Sequence, residues 1–182
     1  MQSWKRTDRA RLGRYRQQYV YRCPNAACRH SIVEPYVVAG AAAIDWTLPG
    51  VRIAEQRPRF VPNTMRRIKL GCDRIDGPFI AELRGGSSTA RSVRQPLATI
   101  ATSGNHHRLV QPDPGGRLAE CRTRMLVPGE LQAAMGFRAG YTVLGTDEQR
   151  KLQIGNAVTP CASEFLLGAV VDALAAQPGA AA

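Results

Sequence analysis

Apolar residues recur at helical spacing toward the C-terminus. Between residues 161 and 175 they form a broad stripe that predicts a helix, and its members are Phe165, Leu166, Ala169, Val170 and Leu174. Upstream, Pro128 suits the first turn of a helix that runs to about Met135 and is ended by Gly136. Residues 118–182 are therefore predicted to be mainly helical.

Shorter patterns alternate with turn residues in the middle of the chain. Residues 78–83 are a strand candidate, and residues 96–102 alternate as a strand does. A helix is predicted over 64–73, with Asn63 as its N-cap, because apolar side chains recur there on one face. Two further strands are predicted, at 18–21 and 34–38. Strands and helices in separate runs predict an α+β fold.

Turn-rich segments suggest how the chain is divided. The Pro- and Gly-rich stretch 111–117 is predicted to be a connector and a domain boundary. His106 and His107 are predicted to be polar turn residues, because neighbouring side chains of an extended chain point to opposite sides and make a poor metal pair. The predicted units are 1–30, 31–117 and 118–182.

Positive charge is in excess. Lysine and arginine number 25 against 14 acidic residues, which gives a net charge of +11, and the first 30 residues hold many arginines against Asp8 alone. Such a balance favours a polyanionic partner such as nucleic acid over a charge that serves only solubility, because each neutralised phosphate releases counterions.

Targeting signals are absent from the pattern. No run of about 18 apolar residues is seen, so no membrane partner is expected. The basic N-terminus lacks the apolar stretch of a secretory signal, and a cytoplasmic location is therefore predicted.

Five cysteines, an odd number, argue against a disulfide scaffold. Cys23, Cys28 and His30 have the spacing of half a zinc site. No second close pair accompanies them, so free cysteines flanking a Pro-Asn turn are the favoured interpretation, and no metal is predicted.

Two blocks near the C-terminus carry a specific resemblance. Residues 124–132 read Arg-Met-Leu-Val-Pro-Gly-Glu-Leu-Gln and continue to Met-Gly-Phe at 135–137, and residues 153–160 read Gln-Ile-Gly-Asn-Ala-Val-Thr-Pro. In this order they resemble the last two signature blocks of the bacterial or phage-type DNA (cytosine-5) methyltransferases. The resemblance extends over about 45–174, and Pro-Leu-Ala-Thr-Ile at 96–100 resembles the Thr-plus-aliphatic element of the target-recognition region.

The resemblance implies a fold, a cofactor and a set of contacts. The fold would be part of an α/β methyltransferase, in which a small irregular β-rich recognition region is followed by helices that pack on a Rossmann-like sheet. S-adenosylmethionine would be the cofactor, with Asn156, Ala157 and Val158 lining its pocket, although without the resemblance Gly-Asn is simply a turn before a helix. The partner would be double-stranded DNA, with contacts expected from a glycine-rich loop with hydroxyls and arginines, and from the Thr-Ile pair. These residues are Arg84, Ser87, Ser88, Thr89, Arg91, Thr99 and Ile100.

Elements needed for the chemistry are missing. A cysteine must attack C6 of a flipped cytosine, and the family carries it in a Pro-Cys-Gln element. The Pro-Cys of this chain, at 160–161, is followed by alanine, and neither a Glu-Asn pair nor a complete glycine-rich cofactor loop occurs. No catalytic residue is therefore predicted, a separate catalytic chain is a possible partner, and Phe165, Leu166 and Val170 are expected to form an exposed apolar patch.

The expected function is the DNA-recognition and cofactor-pocket-closing part of a DNA (cytosine-5) methyltransferase, inactive without the catalytic half. Two alternatives stay open: a non-catalytic DNA-binding module, and a zinc-stabilised nucleic-acid adaptor. Arg124 and Glu130 are predicted to be structural, as a surface ion pair or helix cap of small energetic effect. Val127 stands where the family often has Thr, so a side-chain cap is lost there.

Overall fold

The computed structural model describes residues 2–4, 19–32, 38–83, 90–102 and 106–176. The chain forms two compact units, Met1–Val37 and Val38–Ala182. In the first unit, β1 (Gln2–Trp4) and β2 (Tyr19–Tyr21) pair antiparallel, which confirms the strand predicted at 18–21. Most of the strand predicted at 34–38 lies outside the described residues.

The second unit is an α+β structure around one antiparallel sheet. Its strands are β3 (Val51–Arg52), β4 (Phe79–Glu82), β5 (Ala90–Ser92), β6 (His107–Gln111) and β7 (Arg122–Met125). They lie in the order β3-β7-β6-β4-β5. Its helices are α1 (Pro62–Arg74), α2 (Pro128–Ala134), α3 (Asp147–Asn156) and α4 (Pro160–Ala175). The predicted strand at 78–83 and the helices predicted after Pro128 and over 161–175 are confirmed.

Each face of the sheet carries its own core, because successive strand residues point to opposite sides. The α1 core contains Ile68, Phe79, Ala81, Val110 and Cys121. The C-terminal core, on the other face, contains Ile44, Ile80, Val93, Leu109, Leu126, Leu131 and Ile154. Helix α1 lies so close to β4 that a Cβ added at Gly71 would meet the Phe79 ring at 2.2 Å, so glycine is required there.

The helix over 64–73 is confirmed, but its predicted cap is wrong. Helix α1 begins at Pro62, with Val61 at the cap position and no side-chain cap bond. Proline has its φ angle already fixed near the helical value, so it takes the first turn and leaves Asn63 inside the helix. Helix α2 ends as predicted at Gly136, which has a φ of 79°.

Two predictions between the helices are wrong. Residues 96–102 form no strand, because Leu97 and Ile100 pack onto the C-terminal core and the backbone does not pair with a strand. His107 is not a turn residue: it begins β6 and is 2% exposed.

The spacing of apolar residues did not predict helix α3. Thr146 caps it, with Gln149 N donating to Thr146 Oγ1 (3.3 Å) and Thr146 N donating to Gln149 Oε1 (2.8 Å). Gly155 and Asn156, which without the resemblance indicate a turn, instead complete this helix, and neither has a positive φ. The Thr-x-x-Gln spacing is a capping-box signature that sequence reasoning missed.

The connector predicted at 111–117 joins two neighbouring strands of one sheet. It belongs to the hairpin between β6 and β7, which pair antiparallel from Gln111 and Arg122 onward. The two compact units of the chain divide between Val37 and Val38, and the domain boundary predicted near residue 117 stays a prediction.

Candidate functional site

A buried ion pair lies where the first signature block meets helix α2. Arg124 Nη2 donates to Glu130 Oε1 (2.6 Å) and Arg124 Nη1 donates to Glu130 Oε2 (2.8 Å). Their side chains are 11% and 3% exposed. The predicted ion pair is therefore confirmed, but its predicted surface position is wrong. We call this pair and its backbone partners the Arg124–Glu130 clasp.

The clasp ties together three separate pieces of backbone. Asp45 N donates to Glu130 Oε1 (2.8 Å), and Arg124 Nη2 donates to Asp45 O (2.8 Å). Val127 N donates to Glu130 Oε2 (2.8 Å), which is the glutamate half of a capping box, while Val127 has no side-chain acceptor for the other half. The loop that begins at Asp45 is thereby fixed against the start of α2.

The Thr-Ile element lies on a segment, residues 96–102, that we call the recognition segment. Ile100 packs on the C-terminal core, whereas Thr99 is exposed. Gly155 of the last signature block touches this segment backbone to backbone: a Cβ added at Gly155 would lie 2.9 Å from the carbonyl carbon of Ala101. The structure therefore brings the backbone that directly follows the Thr-Ile element into contact with the Gly-Asn block.

A groove of about 530 Å³ opens between these pieces. Its walls come from the recognition segment, the C-terminal end of α2 and the short turn at Gly40–Ala43, and Thr99, Gly155 and Ala157 line it. A second hollow of about 400 Å³ is lined by Phe137, Tyr141, Thr142, Val143, Leu144, Gln153, Ile154 and Ala157. Among the predicted cofactor residues, Ala157 lines both hollows, while Asn156 and Val158 are exposed beside it.

Only part of the predicted DNA-contacting set can be placed. Arg84, Ser87, Ser88 and Thr89 lie outside the described residues. Arg91 lies on β5 and not in a loop, and its Nε donates to Oε1 of the buried Glu82 (3.4 Å). Arg67 Nη1 donates to Glu82 O (2.9 Å). Glu82 therefore holds two arginines at the end of β4.

Helix α4 presents its apolar side chains to solvent. None of its residues is buried, and Phe165, Leu166 and Val170 are 76%, 59% and 55% exposed. The predicted exposed apolar patch is therefore confirmed. We call these three residues the α4 patch.

The stretch Asp147–Ala175 also meets the length and composition of a membrane-crossing helix, with an 18-residue window of mean hydropathy 1.4 that is not buried. Helices that pack in the cores of soluble proteins meet the same criterion, so the expectation of no membrane partner stays a prediction.

The cysteine turn of the first unit is held by its own backbone. His30 Nδ1 lies 3.1 Å from Cys23 O, and Cys23 and Cys28 are both free thiols. Within the ranges that the structure covers, no three metal-ligating side chains come together. A zinc site on Cys23, Cys28 and His30 thus has no geometric support in this unit.

No family model, curated protein or solved structure matches this chain. The function is therefore argued from the residues and their geometry. Across the described strands every pairing is antiparallel, which differs from the parallel sheets on which dinucleotide-type cofactors are bound.

Proposed function

We propose that this chain is the DNA-recognition and cofactor-pocket-closing part of a DNA (cytosine-5) methyltransferase. The observation that carries the proposal is helix α4, which follows directly on the Gly-Asn-Ala-Val block and buries none of its residues. A helix whose apolar side chains lie open needs a partner surface. In the proposed enzyme that surface is the nucleotide-binding sheet of the catalytic half.

The contact between the two signature regions supports the same proposal. Gly155 lies against the backbone of Ala101 and Thr102, so the last block and the recognition segment are packed directly against each other. A helix that seats on the cofactor-binding half would thereby fix the segment proposed to contact DNA. In the proposed enzyme, closure of the cofactor pocket would therefore be coupled to placement of Thr99.

The hollows beside Ala157 fit a closing role better than a complete cofactor site. The lining of the smaller hollow is apolar or uncharged and includes Phe137 and Tyr141. S-adenosylmethionine supplies the methyl group in this chemistry, and its ribose and amino-acid moiety need charged partners that this lining lacks. The catalytic half must therefore supply them, together with the nucleophilic cysteine.

The experiment is reconstitution. The chain is mixed with catalytic halves that carry Pro-Cys-Gln, Glu-Asn-Val and a glycine-rich cofactor loop, and 5-methylcytosine is measured in unmethylated duplex DNA. The proposal expects methylation in the mixture and none with either chain alone. If no catalytic half of several tested ever yields 5-methylcytosine, the proposal fails.

The net charge of +11 favours one second candidate, a DNA-binding module that acts without a catalytic partner. Such a module would bind duplex DNA alone, and its affinity would fall steeply between about 50 and 200 mM salt because phosphate contacts release counterions. Binding that does not change with salt would remove this candidate.

A further inference from the structure

His107 is a polar side chain that is buried in the sheet. It is 2% exposed, and the alternation along β6 puts it on the same face as Leu109, toward the C-terminal core. In register it lies opposite Glu82 of β4, which is also buried. An apolar side chain would fill this position without the cost of burying a polar ring, so the ring's hydrogen bonding must matter there.

The ring of His107 contacts the recognition segment. His107 Nε2 lies 3.1 Å from the carbonyl oxygen of Ala98. A carbonyl oxygen can only accept, so Nε2 must carry the proton and donate. The contact with Ala98 therefore requires a proton on Nε2.

The bond to Ala98 is one of several anchors that surround Thr99. Ile100, on the far side of Thr99, packs on the C-terminal core, and the backbone of Ala101 lies against Gly155. With its neighbours held in this way, Thr99 is exposed and lines the groove. The backbone that presents Thr99 is therefore fixed by one buried histidine before it and by packing after it.

We propose that His107 is a positioning residue for DNA recognition: its Nε2–H holds the Ala98 carbonyl so that Thr99 is presented to the DNA. The role rests on the proposed function, because it takes the recognition segment to be the part that contacts DNA. His107 itself lies in the core and does not touch the nucleic acid.

The test is binding to a library of duplex DNA with a randomised central stretch, read by sequencing the bound fraction. His107→Leu removes the donor and leaves a carbonyl unpaired, and we expect about a tenfold loss of sequence enrichment. His107→Gln places an N–H near the Nε2 position and should restore it, whereas the shorter His107→Asn should not. His106→Leu is the matched control and should behave as the wild type, because its side chain points to the other face.

Thermal unfolding of each variant separates misfolding from loss of positioning. If His107→Leu does not fold, the comparison of the Gln and Asn variants decides, and equal enrichment by these two would overturn the proposal. A ¹⁵N NMR spectrum of the wild-type histidines gives a second readout, in which a ring protonated only at Nδ1 would also overturn it. Wild type that enriches no sequence and supports no methylation refutes the proposed function itself; normal enrichment by a folded His107→Leu variant refutes only the positioning role.

Discussion

Replacing Glu130 by alanine removes a buried carboxylate that accepts four hydrogen bonds. Two come from Arg124, and the backbone N–H groups of Asp45 and Val127 supply the others. Without the carboxylate, the guanidinium of Arg124 stays buried with its charge uncompensated. Breaking a buried pair in this way costs about 3–5 kcal/mol, far more than the 0–1 kcal/mol typical of a surface pair.

The expected loss of unfolding free energy can be measured by urea unfolding, with circular dichroism as the readout. For a unit of this size, about 2–4 °C of melting temperature is lost per kcal/mol, so thermal scans should show a drop of about 6–20 °C. Glu164→Ala is the matched control, because Glu164 pairs with Arg138 at 3.6 Å where the two side chains are 67% and 90% exposed. This control should leave the unfolding midpoint unchanged.

A double variant tests the reason for the loss. Arg124→Met combined with Glu130→Leu removes both charges, so it should be more stable than Glu130→Ala alone. Recovery should be incomplete, because the N–H groups of Asp45 and Val127 still lack their acceptor. The reasoning is refuted if Glu130→Ala destabilises the chain no more than Glu164→Ala does.

Three further predictions concern backbone contacts, thiols and pH. Gly155→Ala should lower the free energy of unfolding by about 1–3 kcal/mol, because its Cβ would meet backbone at 2.9 Å. Gly168→Ala, which has open space around the added Cβ, should raise the free energy of unfolding by about 0.8–1 kcal/mol. Urea unfolding of the two variants checks both expectations. Burial and the neighbouring Cys121 raise the pKa of Cys72 to about 12. Iodoacetamide at about pH 8 should therefore spare Cys72 in the folded chain and modify the exposed Cys28. Peptide mass spectrometry measures which of the two thiols is modified. The hydrogen bond from the Arg117 side chain lowers the pKa of Asp113 below its ordinary value of 3.8. The stabilisation that ionised Asp113 gives is therefore present above pH 3.8 and is lost as the pH falls through the pKa of the folded state. In thermal melts from about pH 5 to pH 2, Asp113→Asn should remove this contribution to the pH dependence of stability.

The C-terminal helices could be predicted because their signals are local. Pro128 and Gly136 mark the two ends of α2 through their own backbone preferences, and the apolar spacing of 161–175 needs no knowledge of the rest of the fold. Helix α3 has little apolar periodicity, so the pattern of hydrophobic residues did not reveal it. Its signal lies in the cap formed by Thr146 and Gln149, which is also local.

Long-range contacts explain what local patterns could not predict. His107 looks like a turn residue beside His106, and its burial follows only from the pairing of β6 with β4 and from the carbonyl of Ala98. The Arg124–Glu130 pair could be predicted because the two residues are only six apart in the sequence. The Asp45 carbonyl that completes the clasp lies 79 residues from Arg124, so no local pattern reveals it. The alternation at 96–102 predicted a strand, yet packing of Leu97 and Ile100 on the core took precedence over strand pairing.

The central claim is that this chain completes a cytosine-5 methyltransferase by seating its α4 patch on a catalytic half. The most direct measurement is 5-methylcytosine formed in unmethylated plasmid DNA as this chain is titrated against a fixed amount of catalytic half. The account predicts that methylation rises and saturates near equimolar amounts, and that a Phe165→Ser, Val170→Ser variant needs more than about tenfold higher concentration, since each buried apolar side chain contributes about 1.5–3 kcal/mol. Methylation by this chain alone, or an identical titration for the variant, would contradict it.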